Sequence, residues 1–142
     1  MKLHIITVGQ PKLDYAKRGW AEYWQRLGHY HQLRVTHVAD KQNDAEHLLA
    51  AAGNSYKVAL VIDGKGLSSP HLAQFLEQRA LEAREVSFII GGPDGLPPAV
   101  IATADFQWSL SGLTLPHDLA MVVLLETLYR ASTINAGQPY HR

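Results

Sequence analysis

Apolar runs of strand length alternate five times with segments of helical period, and this alternation constrains the fold more than any other feature of the chain. Leu3 to Val8 reads as a first strand ended by Gly9-Gln10-Pro11. A helix starts at Asp14, with Leu13, Ala16, Trp20, Tyr23, Trp24 and Leu27 on one face and Lys17, Arg18, Glu22 and Arg26 on the other. His29-Tyr30-His31 reads as extended, Leu33 to Val38 as the second strand, and Ala45 to Ala52 as a helix stopped by Gly53. The third strand is Lys57 to Asp63, where Val58-Ala59-Leu60-Val61-Ile62 is apolar on both faces, as in a central parallel strand. Ser68 or Ser69 caps a helix that buries Leu72, Phe75, Leu76 and Ala80. Val86 to Ile90, a short helix from Pro97-Pro98 to Ala104, Phe106-Gln107-Trp108, and a last helix through Leu119 to Arg130 complete the series. Such a pattern predicts one α/β domain over residues 1–142, a parallel-dominated five-stranded sheet with helices on both faces.

The two loops that directly follow the fourth and fifth strands are the candidate ligand site. Gly91-Gly92-Pro93-Asp94-Gly95 follows the fourth strand, and its glycines bring bare backbone to the carboxyl edge, where open α/β sheets hold ligands. After Trp108, Leu110, Leu113 and Leu115 are interleaved with Ser111, Thr114 and His117. Apolar walls with a few placed polar groups describe a small-molecule pocket. Two connections that merely pack on each other would have the same spacing.

These segments, in order, carry a resemblance. G-G-P-D-G-L after a strand, W-S-L-S-G-L-T-L-P-H, a helix with L-Y-R-A and a final P-Y-H-R are similar to the RlmH family of SPOUT-class RNA methyltransferases, over Met1 to Arg142. The resemblance implies a C-terminal trefoil knot, a homodimer that completes the site, S-adenosylmethionine as cofactor, and methylation of N3 of a pseudouridine in large-subunit ribosomal RNA. It places cofactor contacts on Leu60, Gly91, Leu110, Ser111, Gly112, Leu113, Thr114 and Leu115, and sets the P-Y-H-R end beside them. Two departures stand out: Asp40 to Asp44 is short and balanced where the family pattern is longer and basic, and Met121 stands where the pattern has arginine.

Composition limits the alternatives. Thirteen basic and thirteen acidic residues give zero formal charge, which argues against a free-standing nucleic-acid binder and for an assembled partner such as the ribosome. The chain has no cysteine, hence no disulfide or thiolate metal site, and its histidines lack metal-ligand spacing. Without a membrane-length apolar run, and with the opening residues already in a strand, a cytoplasmic protein is expected. The first strand leads into Gly9-Gln10-Pro11-Lys12-Leu13 rather than G-x-G-x-x-G, and Gly64-Lys65-Gly66 lacks the phosphate-loop frame, so neither a dinucleotide nor a phosphate loop is expected. A non-enzymatic ribosome-binding protein is the alternative from another class, though it would need neither loop.

An imide nitrogen must lose its proton to accept a methyl group, so a base or a cation should stand nearby. His117, Arg130, Tyr140, His141 and Arg142 are the candidates; Arg130 could equally pair with Glu126, four residues earlier.

Overall fold

A computed structural model describes residues 1–142 and resolves the alternation into a single parallel sheet. In chain order the elements are β1 (Lys2–Val8), α1 (Asp14–Leu27), β2 (Gln32–Val38), a 3-10 turn (Asp40–Gln42), α2 (Ala45–Ala52), β3 (Tyr56–Gly66), α3 (Ser69–Ala80), β4 (Val86–Ile90), α4 (Pro98–Thr103), β5 (Phe106–Ser109) and α5 (His117–Asn135). The strands lie in the order β2-β1-β4-β3-β5, and every neighbouring pair is parallel. β4 sits at the centre, which is why all five of its residues are buried.

Alternate residues of β1 point to two separate cores. Leu3 and Ile5 join α1, α3 and α5 in the larger cluster, around Phe88, Trp108, Leu124, Leu125 and Leu128. Ile6 and Val8 join α2 and α4 in the smaller one, with Leu48, Ala59, Ile89 and Val100. Helices therefore cover both faces, as the two-sided apolar strands require.

Three local readings change. His29-Tyr30-His31 is not extended: the amides of Tyr30 and His31 bond back to Leu27 O, so these residues form the turn that leaves α1. β3 runs to Gly66, past Asp63, and its pairing with β5 jumps from Leu60 opposite Trp108 to Lys65 opposite the same residue. Residues 61–64 bulge out of the ladder there, and Ile62, read as a core position, is 70% exposed. On α3, Ala73 rather than Ala80 completes the buried face.

From β5, at the sheet edge, the chain crosses the carboxyl ends of β3 and β4 before α5 begins beside β1. His117 Nε2 donates to the carbonyl oxygen of Val8 at 2.8 Å there. β5 itself packs tightly on the bulge, since a Cβ on Gly64 would lie 2.7 Å from the Trp108 carbonyl carbon. This course is consistent with the trefoil knot that the resemblance implies.

Candidate functional site

The crossing segment and the glycine loop enclose a cavity of about 640 Å³ at the carboxyl edge of the sheet, bounded below by the ends of β3 and β4. One wall is apolar: Leu60, Ile62, Ile90, Leu110, Leu113 and Leu115. The glycine loop adds backbone from Gly91, Gly92 and Gly95, and Ser109, Ser111 and Thr114 interleave small polar groups with the leucines. The ionisable side chains of the cavity are Asp94 and His117.

Each wall is shaped by local chemistry. Gly95 N donates to Gly92 O at 2.9 Å, which closes a four-residue turn with Pro93 and Asp94 at its corners. Gly91 admits no side chain, because a Cβ there would stand 2.5 Å from the Gly95 carbonyl carbon and 2.8 Å from the Leu96 nitrogen. Its role is thus to let the loop fold back on itself. The turn is tied to the segment after β2 by Asn43 Nδ2, which donates to Gly95 O at 3.2 Å. The short 40–44 connection therefore braces the glycine loop. In the crossing segment, Ser111 Oγ accepts from Leu113 N at 2.9 Å, and Ser109 Oγ donates to Ser111 O at 2.9 Å. Those bonds spend the serine side chains on shaping the loop.

Beneath the pocket, α5 is locked to the start of the chain. The Asp118 carboxylate is buried and accepts from the backbone amides of Lys12 (2.8 Å) and Leu13 (2.7 Å), just ahead of α1. His37 Nδ1 meets Thr7 Oγ1 at 2.6 Å, and Thr7 in turn donates to Gly9 O, also at 2.6 Å. Burial holds the His37 imidazole below its ordinary pKa, which favours the neutral ring in this chain of bonds.

Of the residues named from sequence, Leu60, Gly91, Leu110, Ser111, Leu113, Thr114, Leu115 and His117 all line this cavity. Gly112 lies within the same loop, exposed and outside the lining. The bond to Val8 takes up the N–H of a neutral His117 ring, leaving Nδ1 as its only acceptor.

The other candidates gather elsewhere. Arg130 is 13 residues along α5 from His117, roughly 20 Å at 1.5 Å per residue. Its guanidinium is paired with Glu126 Oε1 at 2.7 and 3.0 Å, and stacks over the Tyr140 ring with 4.8 Å to the centroid. Glu126 Oε1 also accepts from the Tyr140 hydroxyl at 3.1 Å, while Tyr23 OH stands 3.2 Å away. Tyr140 meets Tyr129 edge-on with ring centroids 4.7 Å apart, and Arg130 donates to His141 Nδ1 at 3.2 Å. Arg142 is exposed at the end. Burial first, then the Tyr23 hydroxyl and the Glu126 charge, raise the Tyr140 pKa, so the phenol keeps its proton here. Tyr140 is therefore no base in this arrangement, and Arg130 carries a charge that Glu126 already neutralises.

Met121 is wholly buried in the larger core, so the position of the expected arginine faces packed side chains in this chain and contributes nothing to the cavity lining. Sequence reasoning did not assign roles to Asp94, Asn43 and Asp118; only Asp94 had a local signal, its place in the glycine motif.

A backbone-lined loop and an apolar slot at the carboxyl edge of a parallel sheet define a small-molecule site of the α/β enzyme class. The model of a family described as "Predicted SPOUT methyltransferase" matches residues 1–141, and the chain belongs to that family of enzymes. It is 52% identical, over all of its own length and 99% of the relative's, to the ribosomal RNA large subunit methyltransferase H of Deinococcus radiodurans. Identity to the protein of that name from Deinococcus deserti is 51%, with both chains wholly covered. Among solved structures, a methylase family protein from Neisseria gonorrhoeae superposes with a TM-score of 0.62 at 13% identity, covering 99% of this chain and 86% of that one. TrmJ from Z. mobilis gives 0.56, also at 13%, covering 94% and 70%. At such identities the structures speak for the fold alone.

No three of the chain's histidine, aspartate and glutamate side chains converge in a set that could hold a metal ion. No helix is long and apolar enough to cross a membrane. A methyl donor with an aromatic ring fits what is present: a slot walled by leucines for the ring, and a loop stripped of side chains for the rest.

Proposed function

We propose that this chain binds S-adenosylmethionine in the cavity between the glycine loop and the crossing segment, and methylates N3 of a pseudouridine in large-subunit ribosomal RNA of the assembled ribosome, in the cytoplasm. The observation that carries the reading is the convergence of Leu60, Gly91, Leu110, Ser111, Leu113, Thr114 and Leu115 around one cavity, although they come from three separate stretches of sequence. The similarity to the Deinococcus ribosomal RNA methyltransferases supports the RNA substrate. The balanced charge supports an assembled ribosome over free RNA, since phosphate neutralisation alone would hold this chain weakly.

When bound, the donor supplies a methyl group already activated on a positively charged sulfur. What remains for the protein is alignment, worth several kcal/mol, and removal of the imide proton. Leu110, Leu113 and Leu115 hold the ring, the glycine loop that Gly91 lets fold back borders the donor's chain, and His117 offers Nδ1 as a proton acceptor.

The chain acts as a homodimer in this reading. The cluster of Arg130, Tyr140 and His141 lies roughly 20 Å along α5 from the pocket of its own chain, so the tail would serve the pocket of a partner. Leu113 (75% exposed) and Ile62 stand at the rim, the kind of apolar surface a second copy covers. The apolar run Val122-Val123-Leu124-Leu125 of α5 adds little to the case for pairing, because Leu124 and Leu125 are buried in the core and Val122 packs on Gly19 of the same chain. Calorimetric titration tests the donor: S-adenosylmethionine should bind and NAD should not. Failure to bind S-adenosylmethionine would leave a ribosome-binding protein without this activity.

A further inference from the structure

The charges around the cavity are lopsided. Among its lining residues there is one carboxylate, Asp94, and no lysine or arginine; the remaining ionisable group, His117, already gives a proton to Val8 O. Asp94 is exposed and sits at the corner of the Gly92–Gly95 turn, in the loop after β4, whereas Leu110, Leu113 and Leu115 come from the segment after β5. The turn is not free to swing, since Asn43 holds Gly95 O and the Gly91 backbone is packed against Gly95. A ligand whose ring lies among the leucines of the crossing segment can set its flexible, charged part against the glycine loop and Asp94.

We propose that Asp94 is a specificity-determining residue that recognises the positive sulfur of the methyl donor and thereby separates the donor from the spent product, a reading that rests on S-adenosylmethionine being the ligand. Donor and product share the ring, the sugar and the amino-acid end. They differ in the methyl group and in one unit of charge: when the methyl leaves, the S–C bond electrons return to sulfur, and the sulfonium becomes a neutral thioether. An otherwise uncompensated carboxylate facing that atom favours the charged form, and a single charge pair a few ångströms apart in a partly wetted cleft amounts to about tenfold in affinity. Once the methyl has gone, the pocket loses its hold on the product, which favours exchange for a fresh donor. The amino-acid ammonium, by contrast, is present in both and cannot give this discrimination.

The test is calorimetric titration of the full-length protein and its Asp94→Asn variant with S-adenosylmethionine and, separately, S-adenosylhomocysteine. Circular dichroism checks that the variant is folded, and asparagine suits the same turn corner. The expected result is a preference for the donor in the native protein that falls about tenfold in the variant through the donor alone, with product affinity within about twofold. Equal loss for both ligands would mean that Asp94 holds the shared ammonium, and no loss for either would make it a solvated turn residue; each overturns the proposal. A native protein that binds neither ligand would instead overturn the donor reading itself.

Discussion

Asp118 Oδ2 lies 2.7 Å from the backbone nitrogen of Leu13, 105 residues earlier in the chain, and the same oxygen takes the Lys12 amide. One buried carboxylate in the first turn of α5 thus fixes the entry to α1, with the pocket residue His117 next to it. Replacing Asp118 with alanine leaves two amides without their acceptor, a loss of about 1–3 kcal/mol. Urea denaturation should show a lower midpoint with an unchanged slope, with Asp118→Asn in between. An unchanged midpoint in the alanine variant would mean that water replaces the carboxylate at no cost.

Gly91→Val should abolish donor binding in a protein that still folds. The new Cβ meets the Gly95 backbone at 2.5 Å, so the turn must open and carry the Asp94 side of the cavity with it. Even Gly91→Ala meets this contact, and its affinity should fall at least tenfold, the equivalent of about 1.4 kcal/mol. Calorimetry on folded variants decides the matter: native affinity in either one would remove the loop from the site.

How much of this could be read in the sequence depended on the range of the interaction. The sheet was legible because each strand states its burial locally, as in Val86-Ser87-Phe88-Ile89-Ile90, buried at every position. Much of the pocket was legible because its two main walls lie within the stretch from Gly91 to His117. Ile62 misled, since an apolar residue facing an open cavity has the same side chain as one facing a core. The turn at His29 to His31 was hidden because its bonds go back to the end of α1 and leave no periodic mark. Asp118 with Leu13, and Glu126 with Tyr140, join residues whose meeting is set by the tertiary course of the chain. Local patterns cannot report such meetings. For the same reason Arg130 and His117, read from sequence as members of one set, are far apart within a chain.

Acid should weaken the fold through His31. Burial, chiefly, and the nearby N-terminus push its pKa from 6.5 down to about 4, and Nε2 meets Ser132 Oγ at 2.8 Å. The unfolded chain therefore takes up this proton near pH 6.5 while the folded chain refuses it until about pH 4. Stability is full above pH 6.5 and falls as the pH drops through that window. Burial depresses His4 and His37 in the same direction. Melting temperatures at pH 7 and pH 5 should differ less for His31→Gln than for the native protein. An equal drop in both would assign the effect to other groups.

Removing Tyr140, His141 and Arg142 should leave donor affinity within about twofold and lower single-turnover methylation of ribosomes by ~10² or more, the scale of one lost acid–base or charge-stabilising group. Donor binding should survive because the tail, reaching the partner's pocket, is assigned to the methyl acceptor and not to the donor. Equal loss of both would make the tail part of the pocket wall, and full activity would make it only an end.

The most direct measurement is methyl transfer itself. Ribosomes lacking the modification are incubated with this protein and methyl-labelled S-adenosylmethionine, and the large-subunit RNA is digested and examined by mass spectrometry. Label on N3 of a pseudouridine, absent when ribosomes are replaced by free RNA, is the predicted result. A protein that binds the donor yet leaves the RNA unlabelled, or that labels a different base, would contradict the account.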